Sequence, residues 1–165
     1  MAHRWSGETP ARNPPNTLVY ATLVVGQARE QDYFNRIKHA IRQNKVSDNV
    51  ELLGHINHFQ LARELEKASV FLLPSRQENS PMAIAEAMAA GVPVVVSDRC
   101  GMPYMVEEGK TGYLVNPEST KNIADCLAKL LESGQLCRQM GHEGRQSAMK
   151  RFHPKTVAEY LNQEE

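Results

Sequence analysis

Residues 70–97 read VFLLPSRQENSPMAIAEAMAAGVPVVVS. Val70–Leu73 is a short β-prone apolar run, and Pro74-Ser75 closes it, as expected of a buried strand. Pro81–Ala90 is rich in helix formers and stops at Gly91, a helix followed by its natural terminator. Pro93–Ser97 is apolar and β-branched again, so a second strand is expected. Two strands joined through a helix make a βαβ unit, and such a unit belongs to a parallel sheet.

The same alternation extends in both directions. Upstream, Leu18–Val25 reads as a strand ending at Gly26. Tyr33, Ile37 and Ile41 recur every four residues and predict a helix with one apolar stripe. Asp48-Asn49 turns the chain into a short strand, Val50–Leu53, that Gly54 ends. Asn57, with Gln60 three residues on, predicts a helix start, and Leu61, Leu65 and Ala68 line that helix. Downstream, a short helix is expected near Pro103–Glu107, then a turn at Thr111-Gly112 into the strand Tyr113–Val115. Ile123, Leu127 and Leu130 mark an amphipathic helix, and two more helices fill Gln135–Arg151 and Lys155–Asn162. Residues 1–16 read as an irregular lead-in, and residues 17–165 as one α/β domain whose parallel sheet carries helices on both faces.

Composition excludes several classes of function. The 165 residues include 19 Lys+Arg and 19 Asp+Glu, for a net charge of zero. That balance gives no electrostatic footprint for nucleic acid. The cysteines are Cys100, Cys126 and Cys137; an odd number without a CxxC pair suits a reducing compartment. No apolar run approaches the roughly 20 residues of a membrane span, and the first residues lack a signal-peptide core. A cytoplasmic address is expected. His55 and His58 stand at i, i+3 without a third ligand, so no metal site is expected. His39, His142 and His153 read as surface residues, Cys100 as a packing residue, and Met82, Met88, Met102 and Met105 as core filler.

Ligands of parallel sheets bind beyond the carboxyl ends of the strands. The loop Pro74–Ser80 is one such end. Ser80 suits an N-cap and Pro81 the first helical position. Met82, Ala83 and Ile84 would then offer backbone N–H groups at a positive helix end, which suits a phosphate. Glu78 precedes this helix start, and Glu86 follows it by about 7–8 Å along the axis. A diphosphate there would have a hydroxyl-accepting carboxylate on either side, a layout that fits a nucleotide-sugar.

These residues resemble a known family. Pro74-Ser75-x-x-Glu78-x7-Glu86-Ala87-Met88-Ala89-Ala90-Gly91-Val92-Pro93-Val94-Val95-Val96-Ser97 is similar to the C-terminal domain signature of family 4 retaining glycosyltransferases (group 1) of the GT-B fold. Gly101-x-Pro103 and Gly109-x-Thr111-Gly112-x-Leu114-Val115-x-Pro117 extend the match, and Val24-Val25-Gly26 and Leu53-Gly54 fit its layout. The resemblance implies a Rossmann-like domain that binds a nucleotide-diphosphate sugar without a metal or other cofactor. It implies that Glu86 binds the ribose hydroxyls. Glu78 would contact the donor sugar in a catalytic role, and Met82 and Ala83, with Ser80 at the helix start, would hold the diphosphate. The nucleobase would lie near Gly54, His55 and Ile56.

Three departures accompany it. Asn79-Ser80-Pro81 replaces the frequent Gly-Phe-Gly, and Tyr104 stands where the family often has Glu. Residues 1–16 hold no strand-helix unit with a Gly-Arg…Lys loop, and no N-terminal acceptor domain precedes them. The expectation is therefore a donor-binding domain lacking its first strand-helix unit, a fragment of a hexosyltransferase with little activity alone. Its acceptor (a glycan, a lipid or another molecule) would be held by the absent domain, and the full-length enzyme could associate peripherally with a membrane. The alternatives are a non-catalytic nucleotide-sugar-binding or interaction module, or another GT-B enzyme such as a sugar-nucleotide epimerase.

Overall fold

The computed structural model describes residues 22–25, 31–78 and 81–152. The expected lead-in at 1–16, the strand residues 18–21, Gly26, Ser80, His153 and the helix at Lys155–Asn162 lie outside the described residues. The chain divides into two compact units, residues 1–57 and 58–165.

In the first unit, β1 (Thr22–Val25), α1 (Gln31–Gln43) and β2 (Val50–Gly54) follow one another. β1 and β2 pair in parallel, Thr22 opposite Val50 and Val24 opposite Leu52, with a register shift between Val24 and Val25. α1 ends in a Schellman motif: Val46 N–H donates to the Ile41 carbonyl and Lys45 N–H to the Arg42 carbonyl, with Lys45 at φ 55°. The apolar stripe of α1 differs by one residue from the expectation. Phe34, Ile37 and Ile41 are half-buried, while Tyr33 is exposed.

The second unit holds α2 (His58–Leu65), β3 (Phe71–Leu73), α3 (Met82–Ala89), β4 (Val94–Ser97), β5 (Gly112–Val115), α4 (Thr120–Glu132) and α5 (Gly134–Arg151). Its sheet has the order β3-β4-β5, parallel throughout. β4 is central, and Val94, Val95, Val96 and Ser97 are all fully buried. Side chains alternate along a strand, and the two faces of β4 enter different cores. Val94 and Val96 pack with Ile84 and Met88 of α3. Val95 packs with Val115, with Cys126 and Leu130 of α4, and with Met140 of α5. This is the expected sheet with helices on both faces.

The segment expected as a short helix at Pro103–Glu107 is a single 3-10 turn, Met102–Tyr104. Met102, Met105 and Val106 are buried beneath it. The Arg151 guanidinium donates to the carbonyls of Tyr104 and Met105, groups that a longer helix would have satisfied internally. α4 and α5 open on side-chain caps. Ser119 Oγ accepts from Asn122 N–H, and Ser133 Oγ from Leu136 N–H, both at 3.2 Å.

α3 ends on a second Schellman motif. Gly91 sits at φ 79°, a region that favours glycine, and Val92 N–H donates to the Ala87 carbonyl. α5 packs along α3 through small residues. A Cβ on Gly141 would lie 2.0 Å from the Gly91 carbonyl oxygen, so this crossing requires a glycine at 141.

Candidate functional site

Two loops leave the carboxyl ends of neighbouring parallel strands, Pro74–Glu78 after β3 and Asp98–Gly101 after β4. The Gly101 N–H donates to the Glu78 carbonyl at 3.3 Å and ties them together. Ser97 Oγ accepts from Arg99 N–H at 3.2 Å and starts the second loop, where Arg99 Nε lies 3.2 Å from Asp98 Oδ1. Glu78 is half-buried. Its carboxylate has no protein partner among the described residues.

The start of α3 differs from the sequence expectation by one residue. Pro81 is extended, with φ −70° and ψ 111°, and occupies the N-cap position without a side-chain cap. Its carbonyl accepts from Ile84 N–H at 3.0 Å. Ile84 is therefore not one of the open N–H groups. Met82 and Ala83 are the two whose N–H groups meet no acceptor among the described residues. Met82 also departs from its reading as core filler, since its side chain is 61% exposed at the helix start, whereas Met88, Met102 and Met105 are buried.

Glu86 stands four residues beyond Met82, about 6 Å along the axis. Its neighbours Ile84, Ala85, Ala87 and Met88 are all buried, which turns Glu86 to the open face of α3. Its Oε1 lies 3.6 Å from Nδ1 of His58, the first residue of α2. In the sequence His58 stands out only as the i+3 partner of His55, a pair without a third metal ligand. Among the described residues no group of three His, Cys, Asp or Glu side chains is placed to hold a metal ion.

Gly54, His55 and Ile56 close β2 in the first unit, with Gly54 at φ 67°, His55 exposed and Ile56 half-buried. The two glutamates belong to the second unit.

Cys100 is exposed at φ 54°, against the expectation that it packs, because the turn into Gly101 directs its side chain outward. Tyr104 is 81% exposed, with the 3-10 turn anchored by its methionines instead. The Gly109–Val115 motif is structural. Buried Thr111 accepts from Glu107 N–H through Oγ1 at 2.9 Å, and Gly109 N–H donates to the Gly112 carbonyl at 2.8 Å. The Glu107–Lys110 pair, whose pKa values are displaced, also lies there and not between the two glutamates. No described helix is long and apolar enough to cross a membrane.

Comparison with known proteins agrees with this architecture. The family model for glycosyl transferases group 1 matches residues 12–147. The chain is 32% identical over 139 residues to the N-acetyl-alpha-D-glucosaminyl L-malate synthase of Bacillus anthracis, covering 84% of this chain and 35% of that protein. The Anabaena protein HepE, solved in complex with UDP, superposes with a TM-score of 0.79 at 24% identity, over 87% of this chain and 41% of that one. The C-terminal domain of LpcC, a glycosyl transferase group 1 family protein from Francisella tularensis, superposes with a TM-score of 0.74 at 21% identity, over 80% of this chain and 69% of that one. The chain thus spans about a third of the length of the curated relative. Its strands and helices are those of the C-terminal half of a GT-B fold, and the chain belongs to the group 1 glycosyl transferases.

Proposed function

We propose that this chain forms the donor side of a retaining glycosyl transfer, binding a nucleotide-diphosphate sugar along the start of α3. The observation that carries the reading is local. Two backbone N–H groups at a helix N-terminus, those of Met82 and Ala83, meet no acceptor among the described residues, and they lie between the half-buried Glu78 and the outward-facing Glu86. Helix N-termini attract phosphate through oriented N–H groups and the helix dipole. Carboxylates on either side suit the hydroxyl groups that flank a diphosphate. Glu86 takes the ribose. Glu78 takes the sugar and stabilises the reacting centre, with Ser80 beside the phosphates. Family membership supports the donor class, and the superposition on a protein solved with UDP supports the fold that would hold it.

The reaction needs charge stabilisation at the departing diphosphate, and cations together with a second domain would supply it. The chain assayed alone is therefore expected to bind donor and to transfer sugar slowly, to a glycan or lipid-linked acceptor held elsewhere. A reducing compartment, the cytoplasm, suits an exposed thiol such as Cys100.

Calorimetric titration with UDP-, GDP- and ADP-sugars, on this chain and on Glu86→Ala, tests the reading. One of the three should bind and lose affinity in the variant. Unchanged affinity in Glu86→Ala would remove the ribose role, and rapid turnover by the chain alone would remove the need for outside groups.

A further inference from the structure

We propose that His58 is a positioning residue for Glu86, setting the carboxylate that receives the ribose hydroxyls of the bound nucleotide. The inference rests on the donor-site reading above. The contact joins two helices: Nδ1 of His58, at the first residue of α2, lies 3.6 Å from Oε1 of Glu86, in the second turn of α3. The His58 side chain is 91% exposed and that of Glu86 35% exposed. A histidine so open contributes nothing to the core, and this carboxylate is its partner among the described residues.

The physical consequence is preorganisation. A glutamate on an open helix face samples several staggered rotamers, and fixing one on ligand binding costs side-chain entropy. A contact from a second helix narrows the sampling before the ligand arrives. It engages one oxygen only. Each carboxylate oxygen carries two lone pairs, so Oε2 and the second lone pair of Oε1 remain open to a vicinal diol. At 3.6 Å the pair stands at ion-pair distance, and a cationic imidazole there biases by electrostatic attraction the carboxylate that the diol needs.

An exposed pair of this kind has a small effect, so the test reads a property that belongs to the ribose hydroxyls. The whole chain is titrated with UDP, GDP and ADP, each beside its 2′,3′-dideoxy counterpart. For the nucleotide that binds best, His58→Ala is expected to weaken binding by about two- to fivefold and to leave the dideoxy compound unaffected. Glu86→Ala should abolish the preference for the hydroxylated form, and adding His58→Ala to it should change nothing further. His58→Gln, whose amide can donate to the same oxygen, should recover part of the preference.

A preference intact in His58→Ala but lost in Glu86→Ala would overturn the role of His58 and leave the donor site standing. Equal losses for both forms in His58→Ala would mark a structural effect and overturn it as well. A preference untouched by Glu86→Ala, or binding of none of the three nucleotides, would overturn the donor-site reading and this inference with it.

Discussion

Replacing Gly141 by alanine sets two physical effects against each other. Gly141 lies inside α5, where alanine is better than glycine by about 0.8–1.0 kcal/mol on helix propensity alone. The added Cβ, however, would stand 2.0 Å from the Gly91 carbonyl oxygen, 3.0 Å from the Gly91 carbonyl carbon and 3.5 Å from Pro93 Cδ. The first two are backbone atoms in a Schellman turn, so no side-chain rotation relieves them. Carbon–oxygen contacts settle at about 3.3 Å or beyond, so α5 must retreat by roughly 1 Å. The retreat loosens Met140 and Ala148, which are 1% and 3% exposed. Overpacking costs about 1–3 kcal/mol, and a rigid obstacle belongs near the top of that range. Net of propensity, Gly141→Ala should lose about 2 kcal/mol.

Gly144→Ala in the same helix is the control. Its Cβ would meet its nearest atoms at 3.6, 3.7 and 3.8 Å, ordinary contact distances, so it should gain up to about 1 kcal/mol. The two variants should therefore differ by about 3 kcal/mol, or about 6–12 °C in melting temperature. Urea denaturation followed by circular dichroism at constant slope reads the difference. A Gly141→Ala protein as stable as the parent would refute the close-approach argument.

Three further outcomes are expected. Arg151→Met removes the guanidinium bonds to the Tyr104 and Met105 carbonyls; it should cost about 1 kcal/mol and speed amide exchange across 102–105, and unchanged exchange would count against the anchor. The hydrogen-bonded Lys110 ammonium lowers the Glu107 pKa, and the Glu107 carboxylate raises that of Lys110. The Glu107 contribution is present above its unfolded pKa and fades as pH falls through the lowered folded value. The Lys110 contribution is present below its unfolded pKa and fades as pH rises through the raised folded value. Lys110→Met should flatten both flanks of a stability–pH curve, and an unaltered acid flank would contradict the pairing. Burial pushes the Cys126 and Cys137 thiols up, while Cys100 is exposed; a disulfide reagent should label one thiol quickly, and Cys100→Ser should erase that phase.

The elements and the glutamate pair were legible in the sequence because their signals are local. Val94–Val96 announces a strand buried on both faces, and Gly91 a helix end, wherever the rest of the chain goes. Contacts between elements carry no such mark. Nothing in the order of residues links His58 to Glu86; the link exists because α2 starts where the second turn of α3 passes. Helix propensity makes Gly141 a weak point of α5 until its approach to Gly91 is known. Met82 and Met88 are the same residue type on one helix, and only the packing of α3 decides that one is exposed and the other buried. Cys100 reads as a small apolar residue, yet its positive φ turns it outward.

These contacts share a consequence for the site. α3 is held at its C-terminal end by the Gly91 turn under α5 and along its buried face by Ile84 and Met88 against β4. The loop before it is tied through the Glu78 carbonyl to Gly101, whose own segment is anchored by buried Met102. Among the described residues, the parts of α3 without a partner are the Met82 and Ala83 N–H groups, and the Glu86 face is open to solvent. A binding group is most effective where its support is rigid and its functional atoms are unspent. The alanines of the helix serve the same end: Ala85 and Ala87 are buried side chains too short to hold the helix away from its neighbours. Any substitution that loosens the packing of α5 on α3, Gly141→Ala among them, should thus weaken nucleotide binding together with stability, although none of its atoms touches the ligand. Substitutions on the solvent side of α4 should leave binding alone.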